Sequence, residues 1–178
     1  WLYVLGVARF AVQYVDEFEG KSIQTWVYHQ DRDKGFYDFD NTTKQALAFY
    51  STAVGPFSYE KLANIQSNSV SGGMEAASAI LYSENSVVGD RNVRWRNVVI
   101  HEIAHQWFGN SVTEKDWDEI WLSEGFATYF TLLFIEHQYG RDEFLEGLRS
   151  SKKSVDAFYI KNPGYRLVHD NLKDMKDV

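Results

Sequence analysis

Residues 97–111, "NVVIHEIAHQWFGNS", constrain this chain more than any other stretch. Val98 or Val99, Ile103, Trp107 and Phe108 recur with a helical period, so the run reads as one side of a buried helix. Within it, His101 and His105 are four residues apart. On a helix that spacing turns the second side chain by only about 40° and advances it by one turn. Two imidazoles so placed can converge on a common point. Glu102 lies about 100° round from His101, where its carboxylate can overhang that point without ligating it. This is the mechanical content of an H-E-x-x-H pattern. Taken alone, the pattern is equally compatible with a metal site and with an ordinary buried helix that carries polar residues.

A second stretch bears on that choice. In "WLSEGFATYF", Glu124 stands near the start of another apolar run, with 18 residues separating it from His105. A catalytic zinc takes three protein ligands and keeps a fourth position open, and two histidines with one glutamate form such a set. The connector after Gly109 is short enough for the second helix to fold back on the first. A carboxylate facing inward from so apolar a helix is costly unless something pairs with it. The alternative is a glutamate at a wet helix N-terminus, favoured there by the helix dipole. Upstream, "SGGMEAAS" (71–78) places two glycines, through which backbone can approach a ligand closely, directly before Met74 and Glu75. Standing alone, that element reads as a plain turn followed by an exposed glutamate.

Composition removes other classes. The formal net charge is −7 and no cluster of Lys and Arg occurs, which argues against nucleic acid as a partner. Cysteine is absent, which excludes disulfides, thiolate metal sites and a cysteine nucleophile. No apolar run approaches the ~20 residues of a membrane span. With 44% hydrophobic residues, the chain has enough apolar material for a packed core.

The rest of the chain reads as an α+β order, strands first and helices second. Residues 1–30 read as strands with a turn at Glu19-Gly20, and residues 30–43 as a loop. A helix capped by Asn41 or Thr42 runs to about Thr52, with Ala46, Leu47, Phe49 and Tyr50 toward the core. Residues 58–84 read as two strands around a Ser/Gly loop at 67–73. The helix bearing the histidines is expected to end at Gly109 in a left-handed cap. A second helix over 120–140 ends at Gly140, and a third, capped by Asp142, stops at Asn162-Pro163-Gly164.

In this order and spacing, "GGMEA", "HEIAHQWFGN" and "WLSEGFATYF" resemble the aminopeptidase N family of zinc metallopeptidases, which also contains the leukotriene-hydrolase-type enzymes. The resemblance is dense from about residue 36 to 138. It implies a thermolysin-like zincin catalytic domain, with a mixed β-sheet before the metal-binding helix and further helices after it. It implies one zinc ion held by His101, His105 and Glu124, with Glu102 as general base. Gly72, Gly73, Met74 and Glu75 would line the substrate cleft, and Glu75 would bind the α-amine of a peptide with a free N-terminus. The family usually has Asn where this chain has Ala76. The resemblance further implies that residues 1–35 end an N-terminal β-domain or its linker, and that 36–178 form a catalytic domain incomplete at its C-terminus. The flanking domains and the oxyanion-stabilising tyrosine would then lie outside, the tyrosine beyond Val178, since Tyr129, Tyr139, Tyr159 and Tyr165 stand in the wrong context. The chain would bind zinc yet have little activity alone. Two other readings stay open: a peptide-binding zinc pseudoenzyme, and an endopeptidase or epoxide hydrolase with the same ligand pattern. His29, His137 and His169 read as structural or solvated.

Overall fold

Glu19 and Gly20 both take positive φ, 51° and 78°, the combination that lets two residues close a twisted hairpin. They join β1 (Phe10–Phe18) to β2 (Lys21–Tyr28), where the sequence predicts a turn. The computed structural model describes residues 4–168; the tail that follows, with His169, lies outside the described residues. Along β2, Ile23, Thr25 and Val27 are buried while their neighbours are partly exposed, the alternation of a strand with one covered face. β2 runs parallel to β3 (Lys61–Ser67), and β3 runs parallel to β5 (Ala79–Ser83). The two-residue β4 (Gly73–Met74) pairs antiparallel with β5, giving a mixed sheet in the order β1-β2-β3-β5-β4.

The expected strands-then-helices order needs one correction. Helix α1 (Arg32–Ala53) intervenes between β2 and β3 and makes their parallel crossover. It starts well before the expected cap at Asn41 or Thr42, inside the expected loop at 30–43. The polar residues that suggested a loop have tertiary partners instead. Gly35 lies flat against Val27, where any Cβ would collide, so its lack of a side chain brings α1 down onto β2. Thr43 donates to the Phe39 carbonyl at 2.8 Å and accepts from the Asn64 amide at 2.8 Å.

Asp38 is the strongest of these anchors. Its two oxygens accept the backbone N–H groups of Val88 (2.8 Å), Gly89 (2.7 Å) and Arg91 (2.9 Å). Arg91 sits at φ 52°, a strained value for a residue with a side chain. Its guanidinium is stacked on Tyr37, 4.1 Å from the ring centre. The loop so held delivers the chain into α2 (Val93–Ala104). Asp38→Ala is expected to cost about 2–4 kcal/mol, the loss of three hydrogen bonds to a buried charge, and Asp38→Asn about half of that. Urea unfolding of the three proteins checks this.

On the same helix, burial pushes Asp40 up to about 6 against the opposing hydrogen bond from Thr25. A carboxyl raised on folding binds more protons folded than unfolded, so stability falls as pH rises from about 4 to about 6. Asp40→Asn is expected to flatten that decline. It should add on the order of 1 kcal/mol at pH 7, once solvent screening of a half-buried site is allowed for. A series of thermal melts between pH 4 and 7 measures it.

The core lies between the sheet and the helices: Ile23, Val27, Leu62 and Ile80 from strands meet Phe39, Leu47 and Tyr50 of α1 and Ile100 and Ile103 of α2. Of the four α1 residues expected toward the core, Ala46, Leu47 and Tyr50 are buried and Phe49 packs at the margin. α3 (Ile120–Tyr139) ends at Gly140 with φ 99°, as expected. α4 (Arg141–Lys161) follows immediately, so Gly140 and not Asp142 is its cap; Asn162 ends it. Among the described residues no helix is long and apolar enough to cross a membrane.

Candidate metal centre

α2 stops at Ala104, five residues short of the Gly109 cap expected from sequence, and His105 is its cap residue. The chain then turns tightly: Trp107 and Phe108 donate to the Ala104 carbonyl, Asn110 donates to that of His105, and Gly109 takes φ 116°. The early stop puts the Phe108 carbonyl beside the His105 ring, where Nδ1 meets it at 2.9 Å, with Ser123 Oγ at 3.2 Å. Ser123 Oγ itself donates to the same carbonyl at 3.1 Å. A carbonyl partner holds a proton on Nδ1 and leaves Nε2 facing outward.

That nitrogen meets two other atoms of ligating type. His105 Nε2 is 3.0 Å from His101 Nε2 and 3.5 Å from Glu124 Oε2, and His101 Nε2 is 3.3 Å from the same oxygen. The three atoms form the group of metal-ligating type found among the described residues. Ligands about 2.0–2.1 Å from a tetrahedral zinc stand about 3.3 Å apart, so this triangle has the dimensions of one face of a zinc coordination sphere. Two nitrogens and a carboxylate are a donor set zinc accepts. The burial is graded: the side chain of His105 is 1% exposed, that of His101 24%, and that of Glu124 53%. Glu124 is therefore not the deeply buried carboxylate its apolar helix suggested; it closes the centre from the solvent side.

The charged groups of the centre act strongly on one another. Hydrogen bonds from His101 and His105 hold Glu124 well below the usual carboxylate range. Burial pulls His105 down, but the hydrogen bond and charge of Glu124, with the charges of Glu75 and Glu102, outweigh it and raise the ring to about 8. Burial is also the largest influence on Glu102, pushing it up to about 8; His105 opposes, and the charges of Glu75 and Glu124 add to the rise. Glu102 does not touch the triangle in any hydrogen bond. Its carboxylate instead lies against the backbone of β4, where a Cβ on Gly73 would collide with it. Gly72 has open space around it. Glu75 follows β4, close enough that its charge acts on both Glu102 and His105. Ala76, the departure from the family pattern, is fully buried.

His101, His105, Glu124, Glu102, Gly73 and Glu75 thus fall in one neighbourhood, with Gly72 and Met74 adjoining Gly73 along the chain, whereas His29 and His137 do not join it; the ring of His137 packs on Phe49 instead. Sequence reasoning missed Ser123, Gln106 and Asn110. The last two are buried and bond to the backbone of the Glu75 loop. A glutamine and an asparagine standing in an otherwise apolar "HQWFGN" are the signal that could have found them.

The mixed-sheet domain thus brings two histidines from one helix and a carboxylate from the next into a group that could hold a metal ion, with a second carboxylate beside it. Comparison with known proteins gives the family. Residues 37–177 match the Peptidase family M1 domain, and the chain belongs to that family. It is 30% identical over 165 residues to aminopeptidase M1 of Arabidopsis thaliana, covering 83% of this chain and 19% of that protein. It is 37% identical over 105 residues to probable aminopeptidase 1 of Saccharolobus solfataricus, covering 54% of this chain and 13% of that protein. Against leukotriene A-4 hydrolase of Xenopus laevis the identity is 28% over 164 residues, covering 86% and 26%. The chain therefore spans about a quarter or less of the length of these relatives.

Proposed function

We propose that this chain carries the centre of a zinc-dependent aminopeptidase that hydrolyses the first peptide bond of peptides with a free N-terminus. The observation behind this reading is the gathering of His101, His105 and Glu124 with two further glutamates, Glu102 and Glu75, in a mixed-sheet α+β domain. His101, His105 and Glu124 hold the zinc. Bound there, zinc supplies a water acidified to a pKa of roughly 7 and polarises the scissile carbonyl. Glu102 accepts the proton of the attacking water and returns it to the leaving amine. The Gly72–Glu75 segment lines the cleft, and the Glu75 carboxylate faces the substrate ammonium. That pairing fixes the distance from the chain end to the scissile bond, so one residue is removed at a time. Residues 36–178 supply this catalytic part, and β1 and β2, expected in a preceding β-domain or its linker, belong to the same sheet through the pairing of β2 with β3.

The oxyanion-stabilising tyrosine implied by the resemblance is not among the residues described around the centre. Such a donor is worth ~10²–10³ in rate, so little activity is assigned to the 178-residue chain by itself. In the whole protein, zinc loading is expected to give cleavage of an aminoacyl-anilide and none of its N-acetyl derivative. Equal cleavage of the two would remove the role given to Glu75 and favour an endopeptidase. Turnover of the anilide by this chain alone at ordinary enzyme rates would overturn the assignment of low activity.

A further inference from the structure

We propose that Gln106 and Asn110 are positioning residues that clamp the backbone around Glu75 and thereby set the preference for a free amine. The inference rests on the amine-binding role of Glu75 proposed above. Three side-chain bonds carry it. Gln106 Nε2 donates to the Glu75 carbonyl at 3.1 Å, and Asn110 Nδ2 donates to the same oxygen at 2.6 Å. Gln106 Oε1 accepts from the Ser78 N–H at 2.8 Å. A carbonyl oxygen has two lone pairs, and both of those on Glu75 are taken by side chains that follow directly on the metal helix. Gln106 is 1% exposed and Asn110 7%, so water does not compete for these bonds.

The far end of the same short loop is pinned as well. Ser78 takes φ 60°, and its carbonyl accepts from Ala63 N at 2.9 Å and Lys61 Nζ at 2.8 Å. The backbone carrying Glu75 is therefore tied to the helix of the metal ligands on one side and to β3 on the other. The backbone from which its carboxylate extends is thus held in place relative to His101 and His105. The Asn110 amide can sit only one way round, because the reverse orientation would face two carbonyl oxygens. Its own oxygen is buried with no partner, a cost of about 1–3 kcal/mol. That makes Asn110 a poor choice for stability alone and a reasonable one for holding the loop in place. A misplacement of about 1 Å is enough to cost on the order of 10²-fold in a positioned reaction.

The test uses the full chain loaded with zinc. Calorimetry compares leucine hydroxamate, which offers a free amine, with N-acetyl-leucine hydroxamate, which does not. Gln106→Met and Asn110→Ala are expected to shrink the affinity ratio of the two compounds at least fivefold, through weaker binding of the free amine alone, with zinc stoichiometry unchanged. A purely structural role would lower the melting temperature and leave the ratio intact. Should either variant fold poorly, Gln106→Glu and Asn110→Asp keep shape while replacing the donor to the Glu75 carbonyl by an oxygen, and the same loss is expected. Gln106→Glu retains the acceptor for Ser78, so amide exchange at Ser78 should stay slow in it. A ratio within twofold of wild type in all folded variants, while Glu75→Ala abolishes it, overturns the clamp. A wild-type ratio near one that Glu75→Ala leaves unchanged overturns the reading of Glu75 itself, and the clamp with it.

Discussion

Glu102→Gln in the whole protein is expected to lower kcat by ~10²–10⁴, the usual worth of a positioned general base, while zinc content stays the same. Glutamine has the same length and volume, and Glu102 is 6% exposed, so packing against β4 survives the change. What disappears is the acceptor for the proton of the attacking water. The same variant should be as stable as the parent or more so when free of metal. Burial raises the folded Glu102 carboxyl to about 8, which means that its charged form is disfavoured in the folded state at neutral pH, and a neutral isostere removes that penalty. Loss of rate with gain of stability is the pattern of a functional group held at a cost. Unchanged peptidase activity would mean that Glu102 is not the base, and would leave a peptide-binding pseudoenzyme as the better reading.

His105→Ala is expected to abolish zinc binding at micromolar concentrations, a larger effect than the ~10–100-fold that follows loss of an outer hydrogen-bond partner. Of the three ligands it is the most deeply placed, and the one whose proton position the protein fixes through Phe108 and Ser123. The readouts are metal content after dialysis and the rise in melting temperature on adding zinc. For wild type, free zinc at ~1,000 times its dissociation constant adds about 4 kcal/mol. For His105→Ala that increment should vanish. A variant that still binds one zinc with near-native affinity would remove His105 from the ligand set.

The centre was legible because its parts are set by short-range rules. Four residues on a helix bring His101 and His105 together whatever the rest of the chain does, and the apolar run after Glu124 marks the next helix without ambiguity. α1 was illegible for the opposite reason. Gly35, Asp38, Thr42 and Thr43 carry the composition of a loop, and only contacts to Val27, Asn64 and the 88–91 turn make them helix residues. The early end of α2 was hidden in the same way. Periodicity continues through Trp107 and Phe108, yet the chain leaves the helix so that the Phe108 carbonyl reaches His105. β4 escaped because two residues give no alternation to read. The depth of Glu124 was misjudged because helix composition says which residues neighbour a carboxylate in sequence, not on which side the solvent lies.

The pairing of β2 with β3 has a practical consequence. The match to the Peptidase family M1 domain begins at residue 37, yet Ser22–Trp26 pair with Lys61–Ile65. A chain trimmed to the matched region would thus lose β1, β2 and the first turn of α1. β3 would become an open edge with a row of unpaired N–H and C=O groups, a template for another copy to zip onto. The contact of Val27 with Gly35 would go with them, and α1 would keep α2 but lose the strands it packs on. Residues 21–28, outside the matched domain, are therefore the ones that cover the edge of β3.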